Sequence, residues 1–364
     1  MQNRKILFVD LAGPFGGIET YLLNLSQILA GQAEMYALCV NARLKEALRA
    51  KNVQVVPESA MKDRGKIANL ILAACLLIWM RFRFGISIVW VQGYSEILLL
   101  PLARLLGCKA VATRHLTLGS EANRLRSKIA RKAYEHLAFT AHRIFCVSDT
   151  VANGLRSLVD ESRLAVIPNW VASVPKPLVS VPKGTGIRLL FVGRLQPHKG
   201  VALIIAAMRQ MRNSGSSDRL SLTVVGEGEC RHELETLAEG LDVRFAGFQS
   251  DPSRFYRTVD VFINPSLGPE GLPLVSLEAM SYGLPCIFSD LDVHREISDN
   301  GRNAMLFTSG SSVDLCTVLF QILENPASRS EFGSQARLRI IAKHSPECAK
   351  SEYLKCLGAL TSAA

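Results

Sequence analysis

Apolar and polar positions alternate between two periods along the chain. Lys5–Asp10 (KILFVD) is nearly continuous in apolar residues, as in a strand covered on both faces, whereas 18–30 carries them at helical spacing. Further strands are predicted near 35–40, 53–56, 86–91, 109–113, 142–147 and 164–167. Helices are predicted between most of them, near 42–50, 66–82, 96–106, 122–139 and 149–159. This is the βαβ rhythm of a parallel sheet with helices on both faces. It breaks at 174–184, where Pro175, Pro177 and Pro182 exclude a helix and predict an extended connector. It restarts with a strand at Ile187–Val192, a helix at Val201–Arg212 and strands at Leu220–Val225, Val243–Ala246, Val259–Asn264 and Pro285–Ser289. The tail from about 311 to 360 reads as helical, with no clear strand. The expected architecture is two Rossmann-like α/β domains, 1–172 and 187–345, joined by a linker at 173–186. A C-terminal helix, 346–364, is expected to pack back toward the first domain. Two such domains would bind ligands at the carboxyl ends of their strands and face each other across a cleft.

The length of 364 residues suits two domains. With 48% hydrophobic and 20% charged residues, wholesale disorder is excluded. The formal charge of +10 is unevenly placed: residues 1–175 hold 22 basic and 12 acidic side chains, and the remainder 20 of each. That predicts a basic face on the first domain. Arg124, Arg126, Lys128, Arg131 and Lys132 cluster in one predicted helix. The apolar run Ile67–Met80, interrupted by Asn69, is followed by Arg81-Phe82-Arg83-Phe84. Apolar and basic groups together suit an anionic membrane surface. The run falls short of the roughly 20 residues needed to span a bilayer. No nucleic-acid motif accompanies the charge, so nucleic acid is not an expected partner. The cysteines number nine, an odd count with no CxxC pair. This argues against a disulfide framework and for a reducing compartment. The opening MQNRKILFVD has no signal-peptide core. A cytoplasmic location is expected, with peripheral contact on the inner face of the membrane.

Three stretches carry candidate chemistry. In the first, the strand ending at Asp10 runs into Gly16-Gly17 and a helix start. Glycines let a ligand approach the backbone, and the helix start offers unpaired N–H groups, which is the outline of a phosphate site. In the second, Phe191–Gly200, a buried strand ends in Gly193 and is followed by Arg194 and Lys199 on a loop expected to be exposed. Two cations so placed could neutralise a diphosphate. In the third, Asn264–Met280, Pro269, Gly271 and Pro273 keep the chain irregular through Glu270, and a helix then carries Glu278. Carboxylates accept well from vicinal hydroxyls, so one acid could hold a sugar and the other a ribose. The N–H groups of Leu274 and Val275 would point at a phosphate.

At these residues the chain resembles the retaining glycosyltransferases of family 4, which have the two-domain GT-B fold. Glu270 to Glu278 matches the family's Glu-x7-Glu element. Val192 to Gly200 matches its Gly-Arg-Leu-x-x-x-Lys-Gly element, and Gly16 to Glu19 its Gly-Gly-x-Glu element. Val147-Ser148 and Val166-Ile167-Pro168-Asn169 fit as well. The resemblance covers nearly the whole chain and is strongest from 187 to 307. It implies that Arg194 and Lys199 hold the donor's diphosphate, that Glu278 holds the nucleotide ribose and that Glu270 contacts the transferred sugar. It further implies that Gly16 and Gly17 approach the diphosphate from the first domain. His115 matches a histidine near the reacting sugar, and the nucleobase would be held largely by backbone near Phe248. Four positions depart from the family pattern: Pro273, Leu272, Ala304 after Asn303, and Leu116 after His115.

The implied reaction moves a hexose-type sugar from a UDP- or GDP-sugar, with retention, to a glycan or lipid-linked glycan of cell-surface polysaccharide or lipopolysaccharide. No metal or other cofactor is expected, because the two cations can meet the charge developing on the leaving diphosphate. Two other readings stay open on the sequence. One is a sugar-nucleotide epimerase or hydrolase of the same architecture, and the other is a scaffold that keeps the fold without the activity.

Overall fold

The structure is a computed structural model that describes residues 4–13, 15–56, 65–93, 95–116, 136–137, 139–176, 186–213 and 219–362. The basic cluster Arg124 to Lys132, with most of its predicted helix, and residues 177–185 of the expected linker lie outside the described residues. The chain divides into two units. One comprises residues 1–169 together with 346–364, and the other residues 170–345.

The first unit is built on seven parallel strands: β1 (Lys5–Asp10), β2 (Glu34–Cys39), β3 (Gln54–Val55), β4 (Ile88–Val91), β5 (Lys109–Arg114), β6 (Arg143–Cys146) and β7 (Leu164–Val166). Their order is β3-β2-β1-β4-β5-β6-β7. Strand β1 is apolar between Lys5 and Asp10 because both its faces are covered: Ile6, Leu7, Phe8 and Val9 are wholly buried. The strand order reverses between β1 and β4, where Val9 pairs with Val91, so their carboxyl ends finish side by side. In such sheets the crevice beyond that switch point is where ligands bind.

The helix Pro346–Ser362 belongs to this unit although it comes last in the chain. Its Tyr353 is wholly buried, with its ring 5.7 Å from that of Trp90 and 5.0 Å from that of Phe145. The Tyr353 hydroxyl is 2.7 Å from that of Tyr21, on the helix Gly17–Ile28.

The second unit has six parallel strands: β8 (Ile187–Val192), β9 (Leu220–Val225), β10 (Val243–Gly247), β11 (Val261–Asn264), β12 (Cys286–Ser289) and β13 (Met305–Phe307). Their order is β10-β9-β8-β11-β12-β13, with the reversal between β8 and β11. Helices Val201–Asn213 and Ser312–Glu324 cover one face, packing Ile204, Met208 and Met211 with Leu315, Leu319 and Ile322 into the core.

Several elements differ from their predicted extents. The helix expected at 96–106 is a 3₁₀ turn, Ser95–Leu99, followed by Leu100–Leu105, with Pro101 in the opening turn of the latter. The helix expected at 149–159 is only Asp149–Asn153, capped at its end by Gly154. The strand β13 has three residues, too few to show a period. The two units meet in sequence at Asn169/Trp170, and Trp170 and Val171 are buried within the second.

Candidate functional site

Three loops leave the carboxyl ends of β8, β9 and β11 and are tied together by backbone. The Gly193 N–H donates to Val225 O (2.9 Å), the Leu195 N–H to Glu227 O (2.8 Å) and the Leu267 N–H to His198 O (2.7 Å). Two glycines make this approach feasible. Gly200 has φ +71°, and a Cβ there would lie 2.1 Å from the Pro265 carbonyl oxygen. A Cβ at Gly226 would lie 1.8 Å from Gly193 O. No side chain fits at either position, so the loops carrying Arg194, Lys199 and Glu270 share one backbone cradle.

Within that cradle Lys199 Nζ stands 2.5 Å from Glu270 Oε1. The Glu270 side chain is 8% exposed and that of Lys199 19%, so the pair is largely screened from water. Lys199 is therefore not the exposed loop cation the sequence suggested, whereas Arg194 is exposed. Burial alone would push the Glu270 carboxyl up, but the Lys199 ammonium, helped by Ser266, holds it below the ordinary range. Ser266 continues the network: its Oγ also lies 3.2 Å from His198 O, and Ser289 Oγ donates to Ser266 O (2.5 Å). His294, wholly buried, has Nδ1 2.8 Å from Ser289 O.

Glu278 lies on the helix Leu274–Ser281, which starts just after Pro273 at the end of the third loop. Leu274 and Val275 are its first two residues, whose N–H groups have no partner inside a helix. The buried Tyr256 hydroxyl donates to Glu278 Oε2 (2.9 Å), and burial pushes the carboxyl up to about 7. Phe248 directly follows β10 and is 44% exposed; the preceding Gly247 accepts from the N–H of Gly226 (2.9 Å). Sequence reasoning missed Tyr256, Ser266 and His294, since nothing local marks them. The sequence was also read as holding no Asp-x-Asp triplet, which is incorrect: Asp290-Leu291-Asp292 is one. Both Asp290 oxygens are engaged, one by Arg295 (2.9 Å) and one by the Ser309 N–H (2.8 Å).

In the first unit the candidates line the carboxyl edge of the sheet. Gly16 caps the helix Gly17–Ile28, and its N–H donates to Glu19 Oε2 (2.6 Å). A Cβ at Gly17 would meet no heavy atom within 4 Å. His115 follows β5 and is buried, its Nε2 3.2 Å from Gln92 Oε1 and its ring edge-on to Tyr21. Burial, with Arg114 beside it, pushes the imidazole down to about 3, so it is neutral near pH 7. Asp10 and Glu96, which the sequence did not single out, are buried here with Glu19. Asp10 Oδ1 accepts from the Ala12 N–H (3.0 Å) and Glu96 Oε1 from the Leu11 N–H (2.6 Å). Burial, and then the charges of Glu19 and Glu96, push the Asp10 carboxyl well up.

Two parallel-sheet α/β domains, each with its loops gathered at a switch point, are the architecture of the GT-B fold. The structure matches that of HepE from Anabaena, solved in complex with UDP and glucose, with a TM-score of 0.84 and 18% identity. The match covers 98% of this chain and 100% of that one. Residues 15–173 match the family described as Glycosyltransferase Family 4, and residues 186–325 match Glycosyl transferases group 1. The chain belongs to the family-4 glycosyltransferases. It is 32% identical over 176 residues, 46% of each chain, to a phosphatidyl-myo-inositol mannosyltransferase of Mycobacterium leprae. It is 25% identical over 223 residues to the lipopolysaccharide core biosynthesis glycosyltransferase LpsE of Rhizobium meliloti, covering 59% of this chain and 63% of that one. These alignments span about half the length of the mannosyltransferase and somewhat more of LpsE.

Proposed function

We propose that the protein transfers a hexose-type sugar, with retention and without a metal, from a UDP- or GDP-sugar to a glycan or lipid-linked glycan in cell-surface polysaccharide or lipopolysaccharide synthesis. The observation that carries this reading is the placement of Arg194, Lys199 and Glu270 on loops sharing one cradle at the switch point of the second sheet. Arg194 and Lys199 would meet the charge that develops on the leaving diphosphate, and the helix start at Leu274 and Val275 would add its partial positive charge. Glu270 would hold hydroxyls of the transferred sugar, and Glu278 those of the ribose. Phe248 would lie near the base. A donor phosphate oxygen would take the acceptor's proton, so Glu270 is not assigned as a nucleophile. His115, being neutral, enters as a hydrogen-bonding group near the reacting sugar and not as an acid. The UDP and glucose held by Anabaena HepE support a nucleotide-sugar donor, and the naming of LpsE supports a lipopolysaccharide acceptor.

A lipid-linked acceptor would require the first unit to meet a membrane. The helix Lys66–Phe84 supports this: Ile67, Ile71, Ile78, Trp79 and Phe82 are exposed along it, with Arg81 and Arg83 at its end. Among the described residues it is the one helix long and apolar enough to cross a bilayer, although one side of it is buried in the protein. We read it as lying on the surface of the inner leaflet.

Thermal melting with UDP, GDP and their sugar conjugates tests the donor site. Ligand at about 100 times its dissociation constant adds ~2.7 kcal/mol, a shift of a few degrees. Arg194→Ala, at an exposed position, should keep the unliganded midpoint and lose most of that shift. An unchanged shift in the variant would remove Arg194 from the site, and no shift with any nucleotide would remove the reading.

A further inference from the structure

His294 is a buried polar side chain that the proposed reaction leaves without a task. It sits on the helix Asp292–Ile297, wholly buried, with its ring stacked on Phe288 at 5.2 Å. Its Nδ1 lies 2.8 Å from the carbonyl oxygen of Ser289. A carbonyl oxygen can only accept, so Nδ1 carries the hydrogen and Nε2 presents a lone pair. That Nε2 is buried and meets no hydrogen-bond partner among the described residues. Burying such an atom without a partner is costly, and such sites call for an explanation.

The charges that act on the ring come from two loops: Glu270 from the one after β11 and Lys199 from the one after β8. In this structure they neutralise each other, since Lys199 Nζ is 2.5 Å from Glu270 Oε1. Lys199 cannot give its full charge to a diphosphate while holding Glu270. If it turns to the diphosphate, a largely buried carboxylate is left without a counter-ion, which is strongly unfavourable. Two histidines feel Glu270: His198 is only half-buried on the loop after β8, and His294 is the wholly buried one, with a bare nitrogen ready to take a proton.

We propose that His294 is a positioning residue of the donor site: it takes a proton on Nε2 and replaces Lys199 as the counter-ion of Glu270 when Lys199 engages the donor's diphosphate. The proton comes from solvent and returns to it when the nucleotide leaves. Glu270 thereby stays charged and in place to hold the sugar. The proposal rests on the donor-site reading above in one respect only, that Lys199 turns toward a diphosphate.

The test follows the imidazole itself, by NMR of the protein labelled at the ring carbons of its 7 histidines. His294→Phe assigns the signal by its loss. In the wild type, burial keeps His294 below the ordinary histidine range. Lys199→Met removes the competing cation without a ligand and keeps most of the side-chain bulk. It should raise the His294 midpoint by about one unit or more, as expected when a carboxylate that acts on an imidazole is no longer offset by an ammonium. Lys199→Met with Glu270→Gln should return it to the wild-type value. Saturating UDP or GDP, whichever the wild type binds, should shift the signal in the same direction as Lys199→Met. A His294 midpoint that is the same in wild type and Lys199→Met would overturn the proposal, as would nucleotide binding that leaves the signal unmoved. Failure of the donor reading would appear separately, as a response to Lys199→Met in a protein whose melting shows that it binds neither nucleotide.

Discussion

Glu270 and Glu278 stand eight residues apart at one sheet edge, yet their surroundings drive them in opposite directions. Lys199 keeps the first ionised, whereas burial, with the charge of Asp251 adding to it and the Tyr256 hydroxyl only partly offsetting it, pushes the second up to about 7. The second shift has a consequence for stability. The folded protein holds the Glu278 proton up to about pH 7, while an unfolded glutamate releases it near 4.5. The contribution is therefore complete below the unfolded value and is lost as pH rises through the folded one. Between about pH 5 and 8 the wild type should lose on the order of 2–3 kcal/mol relative to Glu278→Gln, which keeps the Tyr256 bond and cannot ionise. Paired thermal melts across that range check it; parallel curves would show that Glu278 ionises freely. At this scale spacing was enough to bring Arg194, Lys199 and the two glutamates forward as candidates. It was silent on partnerships. Lys199 finds Glu270 across 71 residues, and Tyr256 finds Glu278 across 22. Both depend on which strand lies beside which, information no local pattern holds.

The helix Lys66–Phe84 shows how an element can be found in a sequence while its orientation stays hidden. Its buried stripe is Asn69, Ala73, Leu77 and Met80, and its exposed side carries Ile67, Ile71, Ile78, Trp79 and Phe82. Both sides are mostly apolar, so the usual contrast between a core face and a wet face is missing. The fourteen-residue apolar run also understated a helix of 19 residues, because Arg81 and Arg83 continue the turn beyond it. Such a surface, larger than scattered exposed residues, is the mark of an interaction site. Trp79→Ser combined with Phe82→Ser should leave the melting midpoint within a degree or two, since both are exposed. The pair should cut co-sedimentation with anionic vesicles several-fold at about 0.15 M salt. Equal sedimentation of wild type and variant would take this helix out of the membrane reading.

For the molecule as a whole, the two-sheet plan was legible because each sheet is announced by its own run of apolar strands. The lengths of the elements were less so, since Pro101 and Gly154 cut helices that the apolar spacing would have continued. The return of the last helix to the first unit is read from Tyr353, whose ring fills a space among Tyr21, Trp90 and Phe145. Tyr353→Ala should cost about 3–5 kcal/mol, the usual range for emptying a large aromatic site. Calorimetry should show the loss in the transition that reports the first unit, with the transition of the second unmoved. A single transition lowered as a whole would mean that the two units melt together. That helix also sets an order on synthesis. Residues 170–345 are all synthesised before Tyr353, so the first unit lacks part of its core until nearly the whole of both units has been made. Trp90 and Phe145 then wait, partly uncovered, for more than 200 residues of translation, until the residue that covers them has been made.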